Sequence, residues 1–161
     1  MITTVDFTRS LHMENQIIHE QTKDLSQADT LIQPQPGGNC MNWVLGHTLD
    51  NQVIILELLG GRSPVSSENL ERYRRDSDPV TGDGPGVWTL EELLSGHDRV
   101  QQAIAARLQE MDKEDFMQEV KWGERTVTLG WRVFFYYFHF TYHVGQLELL
   151  RNLAGHTEKV I

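Results

Sequence analysis

The sequence predicts an all-α protein, a four-helix bundle with a long connection between its second and third helices. Three observations carry that expectation. The chain has 161 residues, enough for one domain with a sizeable core and too few for two comfortable ones, so residues 1–161 are read as a single domain. Four stretches place apolar residues at helical spacing. No stretch carries a convincing sheet.

The first helix is expected over residues 6–31, where Leu11, Ile18, Leu25 and Ile32 recur every seven residues among polar neighbours and Pro34 supplies the stop. Glu14 lies on or beside this stripe, either as a boundary residue reaching water or as a carboxylate serving a metal in the bundle core. His12 and His19 fall one step off the stripe and are read as solvent-facing. QPQPGGN then connects to a second helix, capped by Asn39 or Asn42 and halted by Gly60 and Gly61. On it Trp43, Val44, His47, Ile54 and Leu58 share a face, so His47 points toward the core. Asn51, one turn on, is placed either to orient an imidazole or to face water. Cys40, on the same face, reads as a small buried hydrophobe rather than an activated thiol.

Residues 62–87 form a charged, proline-containing excursion over the surface, with a short helix expected at 68–75. Arg72, Arg74 and Arg75 in it either make a solvated face or meet an anionic substrate. A Thr89 and Glu92 capping box opens the third helix, whose stripe is Leu90, Leu93, His97, Val100, Ile104, Leu108 and Met111. His97 is read as a core histidine or a partner of a metal ligand ahead of direct ligation. FMQEVKWGERTVT shows the short alternation of an irregular hairpin around Gly123.

The fourth helix is expected from Thr128 to the Ala154-Gly155 stop, and it holds the densest signal in the chain. Eight of the fourteen aromatic residues lie between Trp131 and Tyr142, and His139 and His143 are set among them. Four residues on a helix is a little more than one turn, so the two imidazoles share a face with Cβ atoms about 5 to 6 Å apart. Arg132, Phe135, Gln146, Leu150 and Leu153 fall on the same face, while Phe134, Tyr137, Thr141 and Val144 lie opposite. Small Thr141 and Gly145 on that opposite side suit either a further intramolecular contact or a homodimer interface.

A net charge of −9 with no basic stripe argues against nucleic-acid binding. Cys40 is the only cysteine, which excludes an intrachain disulfide and a cysteine-rich zinc site and fits a reducing cytosol. No segment has the apolar length of a membrane span and the N-terminus has no secretory pattern, so the expectation is a soluble cytoplasmic protein.

Bundles build metal sites from inward side chains on facing helices, and His47 with the His139 and His143 pair would supply three neutral nitrogens to one divalent ion. Zinc or nickel suits imidazole, and three protein ligands leave one coordination position open. Two other sites with related spacing are excluded. A zincin needs Glu directly after the first histidine, where Phe140 stands, and the di-iron Glu-x-x-His signature is absent.

NWVLGHTLDNQ around His47 and FHFTYHVGQLELLRNLAG near the end resemble the DinB-like (YfiT-like) superfamily of four-helix-bundle metalloproteins. The pattern is Trp43 with His47, then His139, His143, Gly145 and Gln146. The resemblance implies that His47, His139 and His143 bind the metal and that the protein is a homodimer. It also implies a metal-dependent enzyme, foremost an S-transferase that uses a low-molecular-weight thiol as cofactor and acts on small electrophiles. A metal-dependent hydrolase and a non-catalytic, metal-stabilised ligand-binding bundle are the alternatives. The sequence assigns no catalytic residue, and it leaves open whether Glu14, His97, Arg132 or Gln146 touches a substrate.

Overall fold

A computed structural model describes residues 3–160. Four long helical segments make the bundle: α1 (Thr4–Thr22), α3 (Met41–Leu58), α4 (Leu90–Gln109), and α6 (Leu129–Val144) continued by α7 (Gln146–Leu153). Around the bundle α1 packs on α4, α4 on α3, α3 on α6, and α6 with α7 back on α1. Helix α3 is buried almost throughout, because it faces α4, α6 and the long excursion at once. Its apolar length from Val44 to Leu56 is thereby absorbed on more than one side.

The first helix is shorter than its seven-residue repeat suggests. It starts at a capping box between Thr3 and Asp6 and ends at Lys23, because Asp24 takes a left-handed φ of 63°. A second box, Ser26 with Asp29, opens the short helix α2 (Gln27–Thr30). Leu11 and Ile18 enter the core as the repeat requires, whereas Ile32 lies beyond the break and is 39% exposed. Arg151 of α7 closes the end of α1, its Nη1 donating to the carbonyls of Gln21 at 3.3 Å and Lys23 at 2.6 Å. A guanidinium there also complements the negative end of the helix dipole.

Neither expected asparagine caps α3. Its N-cap is Cys40, which makes no side-chain cap bond and instead donates its thiol to the Val80 carbonyl at 3.3 Å. Asn42 is used in tertiary structure, donating to the Trp88 carbonyl at 2.8 Å and accepting from the Tyr73 hydroxyl at 3.1 Å. The 62–87 excursion is therefore not a loose surface strand. It holds a 3-10 helix (Ser67–Tyr73) and buries Val65, Leu70, Tyr73 and Val80. Tyr73 lies against the backbone of Gly46, where a β-carbon would overlap its ring.

The predicted box of Thr89 and Glu92 opens α4, and Leu93, Val100, Ile104 and Leu108 are all buried. Asp112 caps a short helix, α5 (Lys113–Met117), that the sequence reading passed over. A hairpin follows, β1 (Glu119–Trp122) with β2 (Arg125–Thr128), in which Trp122 pairs with Arg125 across a two-residue turn and Gly123 supplies a φ of 59°. Thr128 caps α6, as expected. The last helix is interrupted at Gly145, so α6 and α7 are separate segments rather than one rod.

Candidate metal centre

The packing of α3 against α6 brings His47 to His139 and His143. One ligand nitrogen from each ring lies within 4.8 Å of the other two, so the group could hold a metal ion. Among the described residues the group contains no carboxylate and no thiol. His47 Nε2 and His139 Nε2 are 3.0 Å apart. The ring centroids are separated by 5.3 Å (His47 and His139), 4.7 Å (His47 and His143) and 4.6 Å (His139 and His143).

Two of the rings are held in the tautomer that ligation needs. The Tyr73 carbonyl can only accept, so His47 donates to it from Nδ1 at 2.8 Å and presents a bare Nε2 to the cluster. His143 Nδ1 lies 2.8 Å from the Gln146 side-chain oxygen, an arrangement that again places the proton on Nδ1 and frees Nε2. Trp43 stacks on His47 with centroids 4.6 Å apart and planes 17° from parallel. Its indole donates to Ser77 Oγ at 3.0 Å, so Tyr73 and Ser77 of the excursion both grip the α3 side of the site. Phe135 lies against His139, and Trp122 of the hairpin covers Phe135 at a centroid distance of 4.7 Å.

The donor set suits a borderline divalent ion. Imidazole nitrogens about 2.0 to 2.1 Å from a tetrahedral zinc stand roughly 3.3 Å from one another, near the 3.0 Å between His47 and His139 and inside the 4.8 Å that bounds the whole group. Burial also favours the neutral rings that ligation requires. It lowers His47 from 6.5 to about 4, against the opposing pull of the Tyr73 carbonyl, and the neighbouring histidines lower it further. His139 is lowered too, first by burial, then by the charges of His143 and Arg75.

The remaining candidates are spread over the fold. Gln146 is at the cluster, as the orienting partner of His143. Asn51 is buried, but its amide donates to the His47 backbone carbonyl at 2.8 Å, not to an imidazole. Arg132 donates from Nη1 to the Lys121 carbonyl at 3.0 Å and so ties the hairpin to α6. Glu14 is buried against α6, its carboxyl raised by desolvation with Thr141 acting in the opposite direction, on the far side of the helix from His139. His97 is fully buried outside the cluster. Its Nε2 is 3.0 Å from the Leu45 carbonyl and its Nδ1 is 2.9 Å from Gln52. His19 is only half exposed, and its Nε2 meets Asp98 at 2.8 Å.

Sequence reasoning did not find the Tyr73 carbonyl or Ser77. A backbone acceptor has no sequence signature, though the buried spacing of Leu70 and Tyr73 within a polar segment signals that the excursion packs inward.

A DinB-like protein from Bacillus cereus ATCC 10987, with a crystal structure at 2.01 Å resolution, has the same fold. The two superpose with a TM-score of 0.74 at 19% identity, over 96% of this chain and 94% of that one. No curated protein matches the sequence. The family model described as the DinB superfamily matches residues 11–147, a span that takes in all three clustered histidines together with Trp43 and Gln146, and the chain therefore belongs to the DinB superfamily.

Proposed function

We propose that this protein binds one divalent metal ion, zinc or nickel, through Nε2 of His47, His139 and His143, and that the metal site is an enzyme active site. The observation that carries the reading is the Nδ1 bonding of His47 and His143, which turns their free nitrogens toward a common point. Once bound between three neutral ligands, a divalent ion keeps its full charge and supplies Lewis acidity that favours the ionised form of a thiol or water at the open position.

The chain's own residues do the rest. The Tyr73 carbonyl and the Gln146 side chain hold the imidazoles in register, and Trp43 fixes the plane of His47. Phe135 and Trp122 give the site an apolar wall that limits water and suits a hydrophobic electrophile. No described carboxylate joins the histidines to act as a general base, which favours a nucleophile ionised by the metal site itself. A thiol meets that demand better than water, because it starts closer to ionisation. The favoured activity is transfer of a low-molecular-weight thiol to a small electrophile, in the cytoplasm, where Cys40 stays reduced.

The test is metal content by mass spectrometry on untagged protein, for the natural chain, His47→Ala and His143→Ala, followed by thiol and electrophile screens. Near-stoichiometric metal lost in both variants is expected. Thiol consumption that needs the electrophile marks a transferase, and ester or amide cleavage without thiol marks a hydrolase.

The same proposal includes a homodimer. Trp131, Phe134, Phe138, Tyr142 and Leu149 stand exposed along one side of α6 and α7, an apolar stripe too long for an ordinary solvent face. A second copy covering it would also shelter the adjacent metal site. Sedimentation should show a dimer for the natural chain and a monomer for Phe138→Glu.

A further inference from the structure

The excursion carries three neighbouring arginines, and two are fully occupied. Arg72 donates to the carbonyls of Asp78 at 3.0 Å and Pro79 at 2.9 Å, closing its own loop. Arg74 donates to the Ser67 carbonyl at 2.8 Å and lies 3.8 Å from the buried carboxylate of Asp50 and 3.6 Å from Glu71. Arg75 has no such employment. Its side chain is 91% exposed, and its single ionic neighbour among the described residues is Asp76 at 3.8 Å, itself 90% exposed. A pair that open to water contributes little and yields readily to another anion.

The position of Arg75 is set by the site. Tyr73, two residues before it, accepts from His47, and Ser77, two residues after it, accepts from Trp43. The segment between them arches beside the histidine cluster, with Asp76 at a φ of 67° making the bend. The molecule as a whole carries a net charge of −9, so the exposed guanidinium of Arg75 offers an approaching anion a local positive charge within a net repulsive field.

We propose, building on the thiol-transfer reading above, that Arg75 is the carboxylate-recognition residue of the site and that the thiol co-substrate is an anionic one, carrying a carboxylate on the carbon chain beyond its sulfur. The thiol end goes to the three-histidine centre, and the carboxylate end pairs with the Arg75 guanidinium in place of Asp76. Arg72 and Arg74 build the arch, and Arg75 alone reads the ligand.

The probes are 3-mercaptopropionate and 3-mercaptopropan-1-ol, which share chain length and thiol but differ in the carboxylate. Each is titrated into cobalt-substituted full-length protein, with the sulfur-to-cobalt charge-transfer band as readout. The natural chain should bind the acid about fivefold more tightly than the alcohol, in line with one exposed charge pair, and the preference should fade as salt rises. Arg75→Ala should equalise the two probes without loss of cobalt, Arg75→Lys should keep part of the preference, and Asp76→Asn should enlarge it. Equal binding of both probes by the natural chain, or an undiminished preference in Arg75→Ala, overturns the assignment of Arg75 and leaves thiol binding intact. No band with either probe overturns the thiol-binding reading itself, and the carboxylate subsite falls with it.

Discussion

Gly46 and Tyr73 are in contact across the α3 surface, and the absence of a side chain at position 46 is what lets the Tyr73 ring lie flat on the helix. From that seat the Tyr73 carbonyl reaches His47, the next residue after Gly46, at 2.8 Å. The tyrosine hydroxyl meanwhile accepts from the Trp88 amide at 2.6 Å and donates to Asn42. One residue thus joins the excursion, the start of α4 and the orientation of a candidate metal ligand.

Gly46→Ala should therefore act twice. The new methyl displaces Tyr73, which overpacks the core and should destabilise the protein by about 1 to 3 kcal/mol. It also withdraws the carbonyl that fixes the His47 tautomer, so zinc affinity should fall in the same variant. Denaturant unfolding and a chelator-competition titration read the two effects separately. Unchanged zinc affinity in a measurably destabilised variant would detach Tyr73 from the site.

Gln146→Ala removes the acceptor of His143 Nδ1 but none of the three nitrogens. Loss of such an orienting partner typically weakens metal binding by about 10- to 100-fold. Competition titration with a zinc chelator should place this variant between the natural chain and His143→Ala. Folding stability of the metal-free protein should change little, since Gln146 is only partly buried.

His97 is neutral in the core, lowered from 6.5 to about 4 chiefly by burial, with the Leu45 carbonyl pulling the other way. The unfolded chain takes up a proton near pH 6.5 and the folded chain only near pH 4. Stability supplied by the neutral ring is therefore complete above the unfolded value and is lost as pH falls from about 6.5 toward 4. Urea unfolding of metal-free protein should show a falling midpoint over that window, and His97→Gln should make the slope shallower, the remainder belonging to His47, which is lowered over the same range. An identical slope in the variant would place the titration elsewhere.

Arg151→Met tests the closure of α1. Arg151 is 5% exposed, and its guanidinium bonds the carbonyls that end the helix. Removing it leaves the buried Gln21 carbonyl unpaired, which should cost about 1 to 3 kcal/mol in thermal unfolding, while the part-buried Lys23 carbonyl can turn to water. Zinc affinity should be unaffected, because Arg151 lies toward the far end of α7 from Gln146, the residue that bonds His143.

The bundle was legible because its helices announce themselves locally. The capping residues Thr89 and Thr128 and the stripe Leu93, Val100, Ile104 and Leu108 are all patterns within a few turns, and each appears where the periodicity put it. The break after α1 was not legible, since the same heptad continues through Leu25. What ends the helix there is a left-handed Asp24 together with an arginine from the other end of the chain. The hairpin at Gly123 was visible in outline, whereas α5 was hidden because five residues are too few to show a period.

The sequence by itself determined the presence of the four bundle helices, the burial of His47, and the pairing of His139 with His143 on one face, since each follows from a spacing of 3.6 residues per turn. Only the tertiary structure decided that those two elements meet, because the contact of His47 with His139 spans 92 positions and depends on how α3 packs against α6. Tertiary structure also decided the tautomer of His47. The Tyr73 carbonyl is a backbone group that any residue possesses, and it selects a tautomer only when a loop anchored elsewhere carries it to within hydrogen-bonding distance.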